Sequence, residues 1–72
     1  MERLTKKQER TYNAIKEYIG KYGFSPTIRE LCEMTGVKST ATVYCSLKVL
    51  KRKGYIAYLY NRNRTIRLLN ED

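Results

Sequence analysis

The strongest constraint on the fold is the short gap between two predicted helices. The earlier of the two, at about 28–35, begins behind a capping box that opens at Thr27, and it ends at Gly36. Only two residues separate this glycine from the next helix-capping residue, Ser39 or Thr40. Two short helices joined by so few residues must cross at a steep angle, which is the helix-turn-helix arrangement.

A longer helix is predicted upstream of this pair. Thr5 and Gln8 form a second capping box, and apolar residues then recur at helical spacing as far as Tyr22. Gly23 follows and is a typical helix stop. We therefore place helix 1 at about 6–22.

Downstream of the third helix the pattern changes to that of strands. Residues 55–60, YIAYLY, are aromatic and branched, as strands prefer, whereas 61–64, NRNR, is typical of a turn. Apolar residues alternate again in 65–69, so a β-hairpin is predicted at about 55–69. Three helices followed by a hairpin predict a mainly α, winged helix-turn-helix fold that fills 1–72 as one domain.

Size and composition exclude several classes of protein. A chain of 72 residues with 42% hydrophobic residues has material for one small core and too little for a deep catalytic pocket. No apolar run is long enough for a membrane span, and the N-terminus lacks the apolar segment of a signal peptide. We therefore expect a cytoplasmic protein that does not associate with membranes.

Catalytic and metal chemistry also lack the residues they need. The chain has no His, no Gly-rich phosphate loop and no convincing acid/base pair, so an enzyme is not expected. Cys32 and Cys45 fall in different predicted helices and form no metal-binding motif. We expect two free thiols, with Cys32 in the core and Cys45 on the surface, and no cofactor, metal or small-molecule ligand.

Charge is distributed unevenly along the chain, whose net charge is +8. Residues 1–36 carry seven Lys/Arg against five Glu, whereas residues 37–69 carry eight Lys/Arg and no acidic residue. Such one-sided charge is typical of proteins that bind a polyanion. The alternative is a basic surface that serves only solubility.

Helix 3, at about 40–53, has two contrasting faces. One is an apolar stripe, and the other has small and hydroxyl-bearing residues first and basic residues last. Because the major groove admits one α-helix, we predict that the first half meets bases and the second half meets phosphates. Ala41, Thr42 and Tyr44 are the candidates for bases, and Lys48 and Arg52 those for phosphates. Tyr44 has an alternative role, with its ring packed along the helix and its hydroxyl at a phosphate.

The predicted hairpin tip has two guanidinium groups, Arg62 and Arg64. We predict that they contact phosphates or enter a minor groove, unless the loop is only a charged, soluble turn. Tyr55, Tyr58 and Tyr60 raise the possibility of stacking on single strands. This is less favoured, because some of the three must belong to the core.

These motifs together resemble the N-terminal DNA-binding domain of the LexA repressor family, which regulates the bacterial SOS response. The resemblance covers almost the whole chain. It is carried by LT..Q at 4–8, Y..I...I at 12–19, G.SPT..EL at 23–31, G.KS...V...L..L.RKG.I at 36–56 and R.IRLL at 64–69.

The resemblance implies a winged helix-turn-helix that represses DNA-damage-response genes by binding a palindromic operator in double-stranded DNA as a homodimer. The base contacts it implies are Ser39, Thr40, Ala41, Thr42, Tyr44 and Cys45, although Ser39 is expected chiefly as a helix cap. Thr27 and Lys53 join Lys48 and Arg52 as expected phosphate contacts. STATVY is similar to the recognition helices of Gram-positive-type members, but Tyr44 and Cys45 replace an expected His-Gly, which leaves the base preference there open.

Full-length members of that family also have a C-terminal domain, with a self-cleaving Ser-Lys dyad and the main dimerisation surface. This sequence contains neither, so we expect an excised domain, monomeric or weakly associating on its own and located at the bacterial nucleoid. Two alternatives remain. One is a free-standing regulator of a mobile element, and the other is a winged-helix module that binds an acidic protein.

Overall fold

The computed structural model describes residues 3–59, 62 and 64–69. Three helices are followed by a two-stranded antiparallel hairpin, with α1 at Lys6–Tyr22, α2 at Ile28–Thr35, α3 at Thr40–Arg52, β1 at Ile56–Ala57 and β2 at Arg67–Leu68. Ile56 pairs with Leu68, and Ala57 pairs with Arg67. This order of elements confirms the predicted winged helix-turn-helix.

The first two helices begin at complete capping boxes. The Gln8 amide donates to the Thr5 hydroxyl at 3.2 Å, and the Thr5 amide donates back to the Gln8 side chain at 3.0 Å. Thr27 and Glu30 make the same pair of bonds at 3.2 and 2.8 Å. These bonds satisfy backbone donors that a helix start leaves free. At the other end of α2, Gly36 has φ of 75°, the left-handed conformation that allows the chain to turn towards α3.

The third helix starts at Thr40, as predicted, but differs from the prediction in its capping and at its C-terminal end. Ser39 occupies the N-cap position, as expected, but its side chain makes no hydrogen bond to the helix, so its hydroxyl is not used for capping. The helix ends at Arg52, one residue earlier than predicted, and Lys53 is the C-cap. The chain then reverses at Gly54, and the Tyr55 amide donates to the Leu50 carbonyl at 3.0 Å.

One buried core joins the three helices and the hairpin. Its aliphatic members are fully or almost fully buried: Ile15, Leu31, Val43, Leu47, Leu50, Ile56 and Ile66. Tyr12 of α1 meets Tyr55 edge-on, with ring centroids 5.2 Å apart. Cys32 lies in this core and Cys45 is exposed, as predicted. Because the inner stripe of α3 is buried here, its opposite face is directed outwards.

The hairpin has less strand pairing than the alternating pattern predicts. Each strand has only two paired residues, because the backbone groups that follow β1 form hydrogen bonds with side chains and not with the other strand. The Lys51 ammonium donates to the Tyr58 carbonyl at 3.1 Å, and the Leu59 amide donates to the Thr65 hydroxyl at 3.0 Å. Tyr60, Asn61 and Asn63 lie outside the described residues, as does part of the turn predicted at 61–64.

Candidate nucleic-acid interface

The outward face of α3 contains the residues that the helical pattern assigns to it. Its exposed members are Thr40, Ala41, Cys45, Lys48 and Arg52, and its half-buried members are Thr42 and Tyr44. Within the described part of the chain, neither Lys48 nor Arg52 has a hydrogen-bond or salt-bridge partner. The face therefore presents small side chains at its start and two available cations further on.

Tyr44 is packed against the hairpin. Its ring meets that of Tyr58 edge-on, with centroids 6.3 Å apart. The Lys48 ammonium lies 5.8 Å from the Tyr44 ring centroid, and the Lys51 ammonium lies 4.7 Å from that of Tyr58. Burial raises the pKa of the Tyr58 hydroxyl, and the neighbouring Tyr44 raises it further, so this hydroxyl remains protonated at neutral pH. Tyr44 thus links the outward face of α3 to the hairpin.

An open cleft of about 460 Å³ lies between the starts of α2 and α3 and the hairpin. Six predicted contact residues line this interhelical cleft: Thr27, Thr40, Ala41, Tyr44, Arg62 and Arg64. The structure therefore brings together predicted base contacts, the α2 phosphate contact and both arginines of the hairpin. The other predicted contacts lie outside the cleft lining: Ser39, Thr42, Cys45, Lys48, Arg52 and Lys53.

Lys53, predicted to contact phosphate, is engaged within the fold. Its ammonium donates to the Arg3 carbonyl at 2.7 Å and to the Gln8 side-chain oxygen at 3.2 Å. Gln8 is half of the capping box of α1, so Lys53 joins the end of α3 to the start of α1. These bonds give the residue a structural role that helix periodicity does not reveal.

Arg64 is engaged even more extensively. It forms a salt bridge with Glu30 at 3.1 Å and donates hydrogen bonds to the Ser25 carbonyl and the Tyr18 hydroxyl. The pKa of Glu30 is lowered to about 2, first by the hydrogen bond from the Thr27 backbone and then by Arg64 and Tyr18, against the opposing effect of desolvation. Hydrogen bonds to Tyr18 and Glu30 also raise the pKa of Arg64. Both members of the pair are therefore charged at neutral pH.

Arg62, the other arginine of the hairpin, is placed differently. It is exposed, and within the described part of the chain its guanidinium has no hydrogen-bond or salt-bridge partner. Its backbone amide donates to the Leu59 carbonyl at 3.3 Å, which helps to hold the turn. Of the two hairpin arginines predicted to contact DNA, Arg62 is the one whose guanidinium has no partner among the described residues.

Among the helices that the structure describes, none is long and apolar enough to cross a bilayer. Within residues 3–59, 62 and 64–69, no group of three or more His, Cys, Asp or Glu side chains is placed to hold a metal ion.

Comparison with known proteins identifies the family. Residues 1–65 match the family model of the LexA DNA binding domain. The chain belongs to this family. The LexA repressor of Caldicellulosiruptor saccharolyticus is 45% identical, and that of Desulfatibacillum aliphaticivorans is 46% identical, each over 96% of this chain. The LexA repressor of Staphylococcus aureus strain Mu3 is 37% identical over 99% of the chain.

The LexA-family match concerns only part of the longer relatives. The chain spans 34% of the length of each of these three repressors. The matched residues nevertheless include all three helices, β1 and the lining of the interhelical cleft except Ile66. The candidate interface therefore falls within the region that defines the LexA DNA-binding domain.

Several residues at this LexA-family site were not identified from the sequence. In the sequence, Glu30 shows only the capping-box spacing from Thr27, and no motif indicates a role for Tyr18 or Ser25. Their partner Arg64 lies 34 to 46 positions away along the chain. The capping motif was the only available signal, because side chains so distant in sequence are brought together by packing alone.

Proposed function

We propose that this chain binds double-stranded DNA sequence-specifically as the DNA-binding domain of a LexA-like transcriptional repressor. The observation that carries the proposal is the interhelical cleft, which combines the start of α3 with the arginines of the hairpin. Membership of the LexA DNA-binding domain family supports the same conclusion. DNA is a polyanion, and residues 37–69 contain eight cations and no acidic side chain.

In the proposed complex α3 lies in the major groove. The groove is wide enough for one helix and exposes hydrogen-bonding edges and thymine methyl groups. Ala41 and Cys45 are small and exposed, so the helix backbone can approach the bases closely. Thr40 and Thr42 supply hydroxyls for base edges, and the Thr42 methyl suits thymine. Tyr44 lies beside them, and Ser39, whose hydroxyl makes no capping bond, is available as a further contact.

Phosphate contacts would provide affinity and fix the register of the helix in the groove. Lys48 and Arg52 follow the base-contacting half of α3, and Arg62 extends from the hairpin. Thr27 lines the cleft at the start of α2, where a helix N-terminus also favours a phosphate. Lys53 contributes indirectly by holding α1 against α3.

Membership of the LexA family supports a proposal for the assembly on DNA. Two copies would bind the half-sites of a palindromic operator, and the occupied operator would block promoters of DNA-damage-response genes in the bacterial cytoplasm. A single copy makes few contacts, so we expect weak binding unless both half-sites are occupied.

Selection of bound duplexes from a random pool tests the proposal. We expect enrichment of a palindromic consensus, with affinity that falls steeply as salt rises. Failure to enrich any sequence, together with no duplex binding at low salt, would contradict DNA recognition. That result would favour a winged-helix module that binds an acidic protein.

A further inference from the structure

Arg64 lies where the hairpin meets α1 and α2. One guanidinium nitrogen donates to the Tyr18 hydroxyl at 3.3 Å and to the Ser25 carbonyl at 3.1 Å. The other donates to Glu30 Oε2 at 3.1 Å, and the guanidinium carbon lies 4.9 Å from the centroid of the Phe24 ring. The Arg64 side chain is 42% exposed, but both of its terminal nitrogens donate to acceptors of its own protein and its guanidinium lies over an aromatic ring.

Glu30 is the shared acceptor in this arrangement. Its Oε1 accepts from the Thr27 amide at 2.8 Å, which completes the capping box of α2. Its Oε2 accepts from the Tyr18 hydroxyl at 3.0 Å as well as from Arg64. A single carboxylate thus connects α1, the first turn of α2 and the hairpin. We refer to Tyr18, Ser25, Glu30 and Arg64 as the Glu30 clasp.

The hairpin depends on support from outside its own strands. Two paired residues in each strand are too few for a hairpin to be stable alone. Beyond the strands, the Ile66 amide donates to the Ser25 hydroxyl at 3.1 Å, so the clasp also supports the backbone of the returning strand. Arg64 itself has φ of 57°, a left-handed conformation that a non-glycine residue keeps only when its surroundings fix it.

We propose that Arg64 is a positioning residue, which through the Glu30 clasp holds the hairpin at the angle that brings Arg62 to the DNA backbone. It then makes no phosphate contact of its own, contrary to the role that its sequence position suggests. The inference rests on the proposed DNA-binding function and assigns different tasks to the two arginines. Arg62, whose guanidinium has no partner among the described residues, binds phosphate. Arg64, whose guanidinium is bonded within the clasp, fixes the position of Arg62.

Substitution of Glu30 shows whether Arg64 positions the hairpin or contacts phosphate itself, because the two roles predict opposite changes in DNA affinity. If Arg64 binds phosphate, Glu30→Gln removes a competing negative charge and strengthens DNA binding. If Arg64 positions the hairpin, the same substitution loosens the clasp and weakens binding. Loss of a charge-assisted hydrogen bond predicts an affinity decrease of about tenfold.

The experiment measures affinity for the selected duplex across a series of salt concentrations, at a temperature where circular dichroism shows each variant folded. It compares the wild-type domain with Glu30→Gln, Arg64→Gln, Arg62→Gln and the double variant Arg62→Gln/Arg64→Gln. Arg62→Gln should lower the slope of log K against log salt by about 0.9, the value for one phosphate contact. The double variant should bind like Arg62→Gln and lower the slope no further. The guanidinium that Arg64 positions, that of Arg62, is already absent from the single variant.

Stronger binding by Glu30→Gln, or a second slope decrease of about 0.9 in the double variant, would overturn the proposal. Unchanged affinity of folded Glu30→Gln would also overturn it, since the clasp would then serve stability alone. If Arg64→Gln does not fold, Tyr18→Phe tests the clasp by removing one hydroxyl, and we expect it to weaken binding.

Hydrogen exchange distinguishes failure of this inference from failure of the proposed function. The Ile66 amide should exchange faster in Glu30→Gln than in the wild-type domain and at an unchanged rate in Arg62→Gln, with no DNA present. If the wild-type domain bound no duplex, the proposed function would be wrong, and the exchange rates would still decide whether the clasp holds the hairpin. Equal Ile66 exchange in wild type and Glu30→Gln would show that it does not.

Discussion

The outward face of α3 and the hairpin both lie in the acid-free part of the sequence, but the fold uses their cations differently. Lys48 and Arg52 on α3 have no polar partner among the described residues. At the hairpin, Arg64 bonds to Glu30, Tyr18 and Ser25. The sequence therefore gives the number of cations, whereas packing decides which of them a ligand can reach.

The largest effect is expected for a substitution on the inner side of α3. This side must be buried in the core if the outer side is to face DNA. Leu47 is almost completely buried, so Leu47→Ala should destabilise the domain by about 2–5 kcal/mol. Cys45→Ala, on the exposed side of the same helix, should change stability by less than about 0.5 kcal/mol. Urea denaturation of both variants measures this. Similar losses in the two would mean that α3 does not present separate inner and outer faces.

A negative charge on the outer face is the next largest change. Ala41→Glu places a carboxylate in the interhelical cleft and should lower DNA affinity by roughly 100-fold or more, because it faces bases and phosphates. Asn13→Glu, an exposed position of α1, is the matched control and should have a much smaller effect. Fluorescence anisotropy with a labelled duplex measures both. Equal losses of DNA affinity in the two variants would indicate that binding depends only on net charge and not on the outer face of α3.

Lys48 of α3 and Lys53 at its C-cap allow a direct comparison of a lysine without a hydrogen-bond partner among the described residues and one that is bonded within the fold. Lys48→Gln should reduce the salt slope of binding by about 0.9, as expected for one lost phosphate contact. Lys53→Gln should leave the slope unchanged and reduce stability by about 1 kcal/mol, because its ammonium bonds Arg3 and Gln8. The reverse result would assign the phosphate contact to Lys53.

The smallest effect concerns the pH dependence of stability at Glu30. The pKa of this carboxyl is lowered from 4.5 to about 2 in the folded protein, so its contribution is complete above pH 4.5 and is lost as pH falls towards 2. Glu30→Gln should therefore lower the melting temperature at pH 7, and the difference from wild type should shrink below pH 4.5. A difference that stayed constant from pH 7 to pH 2 would indicate that ionisation of Glu30 does not stabilise the fold.

Sequence patterns predict most of the helical architecture because their signals are local. The capping boxes at Thr5 and Thr27 and the glycine stop at Gly36 each act within a few residues, so helix starts and ends can be recognised without tertiary information. The same holds for the two faces of α3, which follow from helical periodicity.

The hairpin and its arginines were harder to predict because their structure depends on distant partners. Alternation predicts longer strands, but the pairing ends at Ala57, and the Lys51 ammonium at the end of α3 donates to the Tyr58 carbonyl. The basic residues Arg64 and Lys53 were assigned to DNA by charge and position. Their acceptors, Glu30 and Gln8, are brought to them only by packing of α1 and α2.

The central claim is that the start of α3 and the hairpin together contact one DNA duplex. A nitrogen-15 NMR titration with the selected duplex tests it most directly. We expect the largest amide shift changes at Ala41, Thr42, Cys45 and Arg62, with little change at Glu17 and Lys21 on α1. Shift changes concentrated on α1, with Ala41 and Thr42 unaffected, would contradict it.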